Sequence, residues 1–271
     1  MVFVLVGLEN TGNLCYLNSA VQFLLSNVLF RNFVINHHNH TNEILQQLLL
    51  YLQQTPGTSH SLKDLQQILA KKWPIYAENE QMDAQEVMLR ILEDIESDPI
   101  SKPLIQEMFD YNNVSIVTCC LCGRYKNKNK QPIRCLSISP SQDMRRCLKR
   151  RVEKMDELRC GCCEEIGGCS KTEFFVKPLP RIMMVQINRY DPNAVIENLM
   201  TSFTYHENTY ALTSAVVHYG DTHGGHYESF VCIKNQWISM NDTKIKTIER
   251  TEALQNIKNF GYLLSYSSPI L

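Results

Sequence analysis

Cys15 and His226 are of the types, and lie in the kinds of sequence, that could provide a nucleophile and its base. Cys15 opens an apolar, helix-like stretch, and His226 follows Gly224 and Gly225 far along the chain. A cysteine attacks as the thiolate, and the positive end of a helix dipole favours that anion. A nearby imidazole would accept the thiol proton. The pair predicts thiol-dependent nucleophilic catalysis, whereas Cys15 taken alone also fits a buried structural cysteine.

The residues next to each candidate support a catalytic arrangement. Gly12 permits a tight turn just before the thiol. Asn10 is placed to direct its carboxamide at a developing oxyanion, beside the backbone N–H of Cys15. Gly225 removes a side chain next to the base, which leaves room for a substrate backbone, and Tyr227 is expected to contact the same substrate.

The base also needs a group that orients its second ring nitrogen. Two other histidines lie near His226, but His218 ends an apolar run and His223 lies in a Gly/Asp-rich loop, so His226 is our choice. Asn241 and Asp242 are the candidate orienting residues. The alternative role for both is turn formation at the end of a strand.

The cysteines are concentrated in one part of the chain. Nine of the eleven fall between Cys119 and Cys169. Two C-x-x-C pairs, Cys119 with Cys122 and Cys160 with Cys163, predict one closed tetrahedral site for a structural, non-catalytic Zn²⁺.

Three further cysteines compete for that assignment, namely Cys120, Cys162 and Cys169. A metal-free finger and redox-active C-x-x-C pairs are the alternatives. Neither pair opens a helix in a βαβ setting, which argues against a redox role.

Hydrophobic periodicity predicts a helical first half and a strand-rich second half. The spacing of apolar residues predicts helices over 14–27, 43–54, 61–72 and 83–96. Alternating segments bounded by turn residues predict strands over 113–118, 132–139, 172–177, 182–189, 210–219, 226–234, 237–240 and 261–268. The predicted class is therefore α+β, with a helical lobe, a cysteine-bearing β projection and a β lobe.

Composition bounds the possible partners. The chain has 271 residues, 44% of them hydrophobic, and a net charge of −1. That balance predicts no nucleic-acid footprint, and the eleven Lys or Arg residues in 124–154 are expected to form a solvated face. Residues 1–7 are expected to form a short apolar edge strand rather than a signal peptide, and no apolar run is long enough for a membrane span. We expect a cytoplasmic or nuclear monomer.

Four blocks of sequence resemble, in the same order, those of the ubiquitin-specific proteases, which are papain-like cysteine peptidases. They are GLENTGNLCYLNSAVQ at 7–22, EQMDAQEV at 80–87, the segment 178–190, and the segment 210–242 that contains His226. Each block is a weak pattern by itself. Four of them in the family's order, over nearly the whole chain, form a specific signature.

The resemblance implies a single catalytic domain over 1–271 with the shape of a hand. Its helical thumb would cover about 1–110, its short zinc-bearing β fingers about 111–177, and its antiparallel β palm about 178–271. In the family, a residue at the position of Asn241 orients the catalytic histidine. An amide there accepts the imidazole N–H but brings no charge, which Asp242 would supply.

The resemblance also implies a deubiquitinase that cleaves after the C-terminal Gly-Gly of ubiquitin through a thioester. Asp83 and Glu86 match family positions that contact the arginines of the tail Leu-Arg-Leu-Arg-Gly-Gly, although both also fit the start of a helix. The stretch 190–210 is shorter than is usual in the family. Two alternatives are the same chemistry on a ubiquitin-like modifier, such as the interferon-induced tandem type, and an inactive ubiquitin-binding scaffold.

Overall fold

The computed structural model describes residues 6–37, 42–78, 80–149, 151–176, 179–189, 191, 193–221 and 224–268. At residues 125–128, 131 and 151 it describes the backbone alone. Most of the apolar strand expected at residues 1–7 lies outside these ranges. So do His223 and two residues of the 178–190 block, 178 and 190.

The first part of the chain, the thumb, is mainly helical. Its elements are β1 (Gly7–Leu8), α1 (Cys15–Ser26), α2 (Val28–Asn36), α3 (Glu43–Leu52), β2 (Ser59–His60), α4 (Lys63–Lys72), a 3₁₀ helix (Pro74–Ala77), α5 (Ala84–Glu96) and α6 (Ser101–Phe109). Strands β1 and β2 pair in parallel. The four predicted helices correspond to α1, α3, α4 and α5.

Helix α1 is the buried centre of the thumb. Every residue from 15 to 25 is buried, including the polar side chains of Asn18 and Gln22. Its apolar residues pack into one hydrophobic cluster with the other thumb helices and with the inner face of the palm. A helix that is buried on all sides cannot move without disrupting the core around it.

The finger sheet is a four-stranded antiparallel sheet with strand order β4-β3-β7-β6. Its strands are β3 (Tyr111–Cys119), β4 (Tyr125–Ile133), β6 (Arg151–Met155) and β7 (Cys169–Val176). Between β4 and β6 the chain leaves this sheet to form β5 (Cys135–Ile138) and α7 (Met144–Cys147), which pack with the palm. The Tyr111 hydroxyl donates to the Met184 carbonyl and ties the base of the fingers to the palm.

The palm sheet has the strand order β13-β12-β11-β10-β14-β8-β5, and β9 pairs with β10. Apart from β5, its strands are β8 (Ile182–Ile187), β9 (Ser202–Tyr205), β10 (Asn208–Asp221), β11 (Gly224–Ile233), β12 (Gln236–Asn241), β13 (Lys244–Ile248) and β14 (Gly261–Ser267). The helix α8 (Arg250–Phe260) lies between β13 and β14 in the chain. The sheet is antiparallel, as expected, except that β5 and β8 pair in parallel.

The palm sheet carries apolar side chains on both faces. In β10, Val216 belongs to the cluster around α1, whereas its neighbours Ala215 and Val217 belong to a second cluster with α8. This alternation follows the two-residue period of a strand. The sheet is therefore the middle of three layers, with α1 on one face and α8 on the other. Among the residues that the structure describes, no helix has the length and apolarity needed to cross a membrane.

Among the basic side chains of 124–154 that the structure describes, all are exposed except that of Arg134. Its side chain is 15% exposed and bonds to Asp110 at 2.7 Å and Glu96 at 2.8 Å. These carboxylates lie at the ends of α6 and α5, so Arg134 connects two thumb helices to the start of β5.

We predict that Arg134→Met lowers the free energy of unfolding. It would leave two largely buried carboxylates without their cation, at a cost of about 2–3 kcal/mol. Urea unfolding followed by circular dichroism measures the change.

The control is Arg145→Met, which removes another Arg–Asp contact, with Asp143, on the exposed surface. Its unfolding midpoint should stay at the wild-type value. Equal effects of the two substitutions would show that the Arg134 contacts contribute no more than surface pairs do.

Candidate active site and cysteine cluster

Cys15 is the first residue of α1, where the chain enters the helix through a tight turn. Gly12 and Asn13 both have positive φ values, 83° and 63°, as the predicted turn requires. The Asn10 side-chain oxygen accepts from the backbone N–H of Leu14 at 2.7 Å and fixes the turn. The thiol-bearing residue is 3% exposed, so Cys15 is held rigidly at the mouth of the helix.

His226 lies on β11, beside α1, and is held by Asn241 at the end of β12. His226 Nε2 lies 2.9 Å from Asn241 Oδ1. An amide oxygen only accepts hydrogen bonds, so Nε2 carries the proton and Nδ1 is the nitrogen available to the thiol. The structure thus brings together Cys15, His226 and Asn241 from two distant parts of the chain.

The hydrogen bond between His226 and the Cys15 thiol has the largest effect on the pKa of His226. Together with the bond to Asn241 it outweighs burial, which acts in the opposite sense, and raises the pKa of His226 to about 9. The imidazole is therefore protonated at neutral pH when the thiol partner is in place. This is the charge state that stabilises a thiolate.

Asp242 anchors the thumb to the palm and does not contact the base directly. Its carboxylate accepts from Asn10 Nδ2 at 2.9 Å and from Asn18 Nδ2 at 2.8 Å. Its backbone oxygen accepts from Leu8 N at 2.9 Å. Asp242 therefore connects the turn after β12 to both sides of Cys15.

Two residues of this anchor were not singled out by the sequence. Asn18 is a buried polar residue one turn after Cys15, which is a signal for a specific hydrogen-bond partner. Gly7 packs so closely that an added Cβ would lie 2.7 Å from the Thr243 carbonyl. A glycine is therefore required where β1 meets the turn that contains Asp242.

Gly225 lies in a crowded segment beside the base. An added Cβ would lie 2.4 Å from the Tyr219 carbonyl and 2.5 Å from His218 Nε2. Its N–H donates to the Gln81 side-chain oxygen at 2.7 Å, a contact across the thumb and palm that sequence reasoning missed. The glycine is needed for packing in this structure, in addition to the proposed access for a substrate.

Tyr227 and His218 form an aromatic contact behind the base. Their ring centroids are 4.4 Å apart, and Tyr227 is 9% exposed. Burial lowers the pKa of His218, and Asp83 opposes this effect. Little of Tyr227 is open to a ligand, so its expected contact with substrate stays a prediction.

Asp83 and Glu86 lie at the start of α5, as the sequence predicts. Asp83 Oδ1 accepts from the backbone N–H groups of Gln85 and Glu86, and Oδ2 accepts from the Tyr262 hydroxyl. Asp83 is thus the helix cap. Glu86 is 45% exposed at its side chain and lies 3.7 Å from Arg90, so it is the more accessible carboxylate.

The four cysteines that the spacing singled out, Cys119, Cys122, Cys160 and Cys163, form one cluster at the finger tips. Their sulfur atoms all lie within 4.8 Å of one another. Cys120 and Cys162 are exposed and lie outside the cluster, as does the buried Cys169.

The two C-x-x-C pairs adopt the same local structure. In each, the residue after the second cysteine has a positive φ, 70° at Gly123 and 59° at Glu164. Its N–H donates to the carbonyl of the first cysteine at 2.9 Å in both cases. Backbone N–H groups, that of Cys163 foremost, lower the pKa of Cys160, so the turn itself favours a thiolate.

The cluster has the dimensions of a tetrahedral thiolate site. Zn–S bonds of about 2.3 Å imply sulfur–sulfur edges of about 3.8 Å. Cys119 and Cys163 are separated by 3.7 Å, and Cys122 and Cys160 by 3.8 Å. The donor set and its geometry therefore fit a closed structural zinc site.

The chain is similar in sequence to proteins described as ubiquitin hydrolases. The sequence profile described as "Ubiquitin carboxyl-terminal hydrolase" matches residues 6–266. Ubiquitin C-terminal hydrolase 13 of Arabidopsis thaliana is 24% identical over 92% of this chain and 26% of its own length. Ubiquitin carboxyl-terminal hydrolase 17-like protein C of Mus musculus is 27% identical over 96% of this chain and 54% of its own length. The chain thus spans about a quarter to a half of these relatives.

Solved structures share the fold. The SAGA DUB module with Ubp8, bound to monoubiquitin, contains a chain that matches with a TM-score of 0.77 and 22% identity, over 98% of this chain and 70% of that one. The same module bound to ubiquitin aldehyde matches with a TM-score of 0.77 and 20% identity, over the same shares of both chains. The predicted α+β hand of thumb, fingers and palm is therefore confirmed.

The profile match spans almost the whole chain and includes all four blocks that suggested the resemblance. It also contains the buried helix with Cys15, the strand with His226 and the finger-tip cysteines. The chain belongs to the ubiquitin carboxyl-terminal hydrolase family.

Proposed function

We propose that the protein is a deubiquitinase, a cysteine peptidase that hydrolyses the bond after the C-terminal glycine of ubiquitin. The observation that carries the proposal is the arrangement of Cys15 at the start of α1, within hydrogen-bond reach of His226, whose other nitrogen is held by Asn241. Two observations support ubiquitin as the substrate class: the chain's family membership, and a solved structure of the same fold that is bound to monoubiquitin.

The first half of the proposed reaction is acylation of Cys15. His226 Nδ1 holds the thiol proton, and the thiolate attacks the glycine carbonyl carbon. The resulting oxyanion accepts from the Cys15 backbone N–H and from Asn10 Nδ2. One hydrogen of that amide is already donated to Asp242, so the second would serve the oxyanion.

The second half is hydrolysis of the thioester. It begins once the C–N bond has broken and the amine has left with the proton from Nδ1. Water then donates a proton to the same nitrogen as it attacks the thioester carbonyl carbon. The C–S bond breaks, which releases the Cys15 thiolate and the C-terminal carboxylic acid of ubiquitin. Asn241 keeps the proton on Nε2 throughout, so that Nδ1 alone exchanges protons. Glu86 and Asp83 are proposed to lie near the basic tail of ubiquitin, with Glu86 the more accessible of the two.

The cysteine cluster is proposed to hold one Zn²⁺ through Cys119, Cys122, Cys160 and Cys163. The ion would cross-link two turns that are separated by the 37 residues from Gly123 to Arg159. Four thiolates complete a tetrahedral shell, so its role is structural and the thiol chemistry takes place elsewhere.

Cys15→Ala is expected to abolish turnover of a fluorogenic ubiquitin substrate while ubiquitin binding and the fold are retained. The substitution removes the nucleophile and leaves the buried helix intact. Release of the fluorophore and binding to immobilised ubiquitin are the two measurements.

Cys232→Ala is the matched control, because Cys232 is a cysteine on the same strand as His226 with no proposed role in the chemistry. It should retain activity and react with a ubiquitin vinyl-sulfone probe. Turnover by Cys15→Ala near the wild-type rate would overturn the assignment. Vinyl-sulfone probes made from ubiquitin-like modifiers, compared with the ubiquitin probe, identify the preferred modifier.

Asn241→Ala is expected to lower kcat roughly 10- to 1000-fold, and by more than Asp242→Ala does. Without Asn241, nothing holds the proton of His226 on Nε2, so the imidazole also populates the inactive tautomer. The loss in kcat is expected to be smaller than the ~10⁴-fold loss in a serine protease, because a thiolate depends less on its base than a serine does. Asn241→Asp should stay active, since a carboxylate also accepts that N–H.

The pH profile gives an independent readout. With the His226 pKa near 9, kcat/KM should fall as pH rises through about 9, where the imidazolium is lost. Asn241 contributes to that raised pKa, so Asn241→Ala should move the alkaline limb to lower pH and Asn241→Asp to higher pH. A larger kcat loss in Asp242→Ala, or an unmoved limb in Asn241→Ala, would assign the orienting role elsewhere.

Purified protein is expected to contain about one zinc per chain, measured by elemental analysis. Cys160→Ser should lose the metal, because it removes one of four thiolates, and it should destabilise the fingers. Cys120→Ser is the matched control, an exposed cysteine outside the cluster that should keep the metal. Well-folded, active protein without zinc would contradict the site.

A further inference from the structure

Cys169 lies directly opposite one of the cluster cysteines in the finger sheet. In the antiparallel pair of β3 and β7, Cys169 is the register partner of Cys119. The N–H of Cys120 donates to the Gly168 carbonyl at 2.6 Å. That bond joins the residues flanking the pair, so Cys119 and Cys169 occupy a non-hydrogen-bonded position of the ladder.

This position is the one in which two cysteines come closest. Cα atoms of such a pair are about 4.5 Å apart, and both side chains point to the same face of the sheet. A disulfide requires Cα separations of about 4.4–6.8 Å. The pair can therefore be cross-linked with little movement of the backbone.

The two side chains also share one environment. Cys119 is 0% exposed and Cys169 is 2% exposed, and both belong to a small hydrophobic cluster with Cys160. No disulfide is present at any of the eleven cysteines, all of which the structure describes. Cys169 is thus a fifth sulfur beside the cluster, next to a proposed zinc ligand.

We propose that Cys119 and Cys169 form a reversible disulfide under oxidation by a peroxide, and that this disulfide ejects the finger zinc. The pair makes the finger tip a site of oxidative modification. The zinc part rests on the proposed metal site, whereas formation of the disulfide rests on the strand register alone.

The proposed chemistry is a two-electron oxidation by peroxide. One sulfur of the pair, as thiolate, attacks a peroxide oxygen; the O–O bond breaks, and a sulfenic acid and hydroxide form. The other sulfur then attacks the sulfenic sulfur, so that the S–S bond forms and the sulfenic oxygen leaves as water. For Cys119 as a thiolate and Cys169 as a thiol, the balance consumes one peroxide and one proton and yields two waters.

Formation of the S–S bond withdraws Cys119 from the metal. Cys122, Cys160 and Cys163 would remain as three thiolates, and an incomplete shell binds zinc less tightly than a closed one. A dithiol reductant would regenerate both sulfurs by exchange, after which zinc can bind again. The two finger turns would lose their cross-link only while the disulfide persists.

The experiment treats the full chain with hydrogen peroxide and measures zinc release with a chromogenic chelator. Disulfides are then mapped by mass spectrometry after alkylation. Activity is not the readout, because Cys15 is itself oxidisable. The wild type should release about one zinc per chain as the Cys119–Cys169 disulfide appears, and Cys169→Ala should release it on the order of tenfold more slowly.

Cys162→Ala is the matched control, since it removes an exposed finger-tip cysteine that lies outside the cluster. It should release zinc at the wild-type rate. Cys169→Val repeats the test with a side chain that fills the buried space. Equal release rates in wild type and both Cys169 variants, a different mapped disulfide, or a Cys119–Cys169 disulfide formed with zinc retained would each overturn the proposal. Purified protein without zinc would refute the metal site, while the mapped disulfide would still decide the cross-link.

Discussion

The burial of α1 against the palm sheet is the constraint on which the rest of the molecule depends. The helix carries Cys15 at its first residue, and β11, which carries His226, packs directly against it. A buried hydrogen bond from the Ser229 hydroxyl to the Ser19 carbonyl fixes the helix along that strand. Because neither element can shift without opening the core, the separation of thiol and imidazole is set by packing, before any catalytic hydrogen bond forms.

The polar contacts around the site refine a position that the core has already set. Asn241 fixes the tautomer of the base, and the adjacent Asp242 binds Asn10 and Asn18 on either side of Cys15. One turn thereby aligns both partners. Asp242 itself has a φ of 52°, a left-handed conformation that is costly for most residues and tolerated by Asp. The strain is local, and the hydrogen bonds of its carboxylate compensate for it.

Sequence patterns predicted several elements whose burial is regular and missed others, among them α2, α8 and β4. Helices α1, α3 and α5 have continuous apolar faces, and each was predicted within a few residues. Helix α8 buries only Ala253 and Ile257 fully, so no stripe marks it. Strand β4 is an edge strand rich in lysine, a composition that protects an edge but gives no alternating signal. The turn that holds Asn10, Asn18 and Asp242 together was not predictable, because it joins residues more than two hundred positions apart.

The finger cysteines include some whose positions follow from sequence spacing and one whose position depends on strand register. Each C-x-x-C turn is local, since its geometry depends on one left-handed residue after the second cysteine. Spacing favoured the four members of the cluster and left three competing cysteines, which the structure places outside it. The position of Cys169 depends instead on how β7 aligns with β3. A shift of one residue would turn its side chain to the opposite face of the sheet. The observed register places a fifth sulfur beside the cluster, so the finger tip has more thiols within reach than a closed four-ligand shell can use.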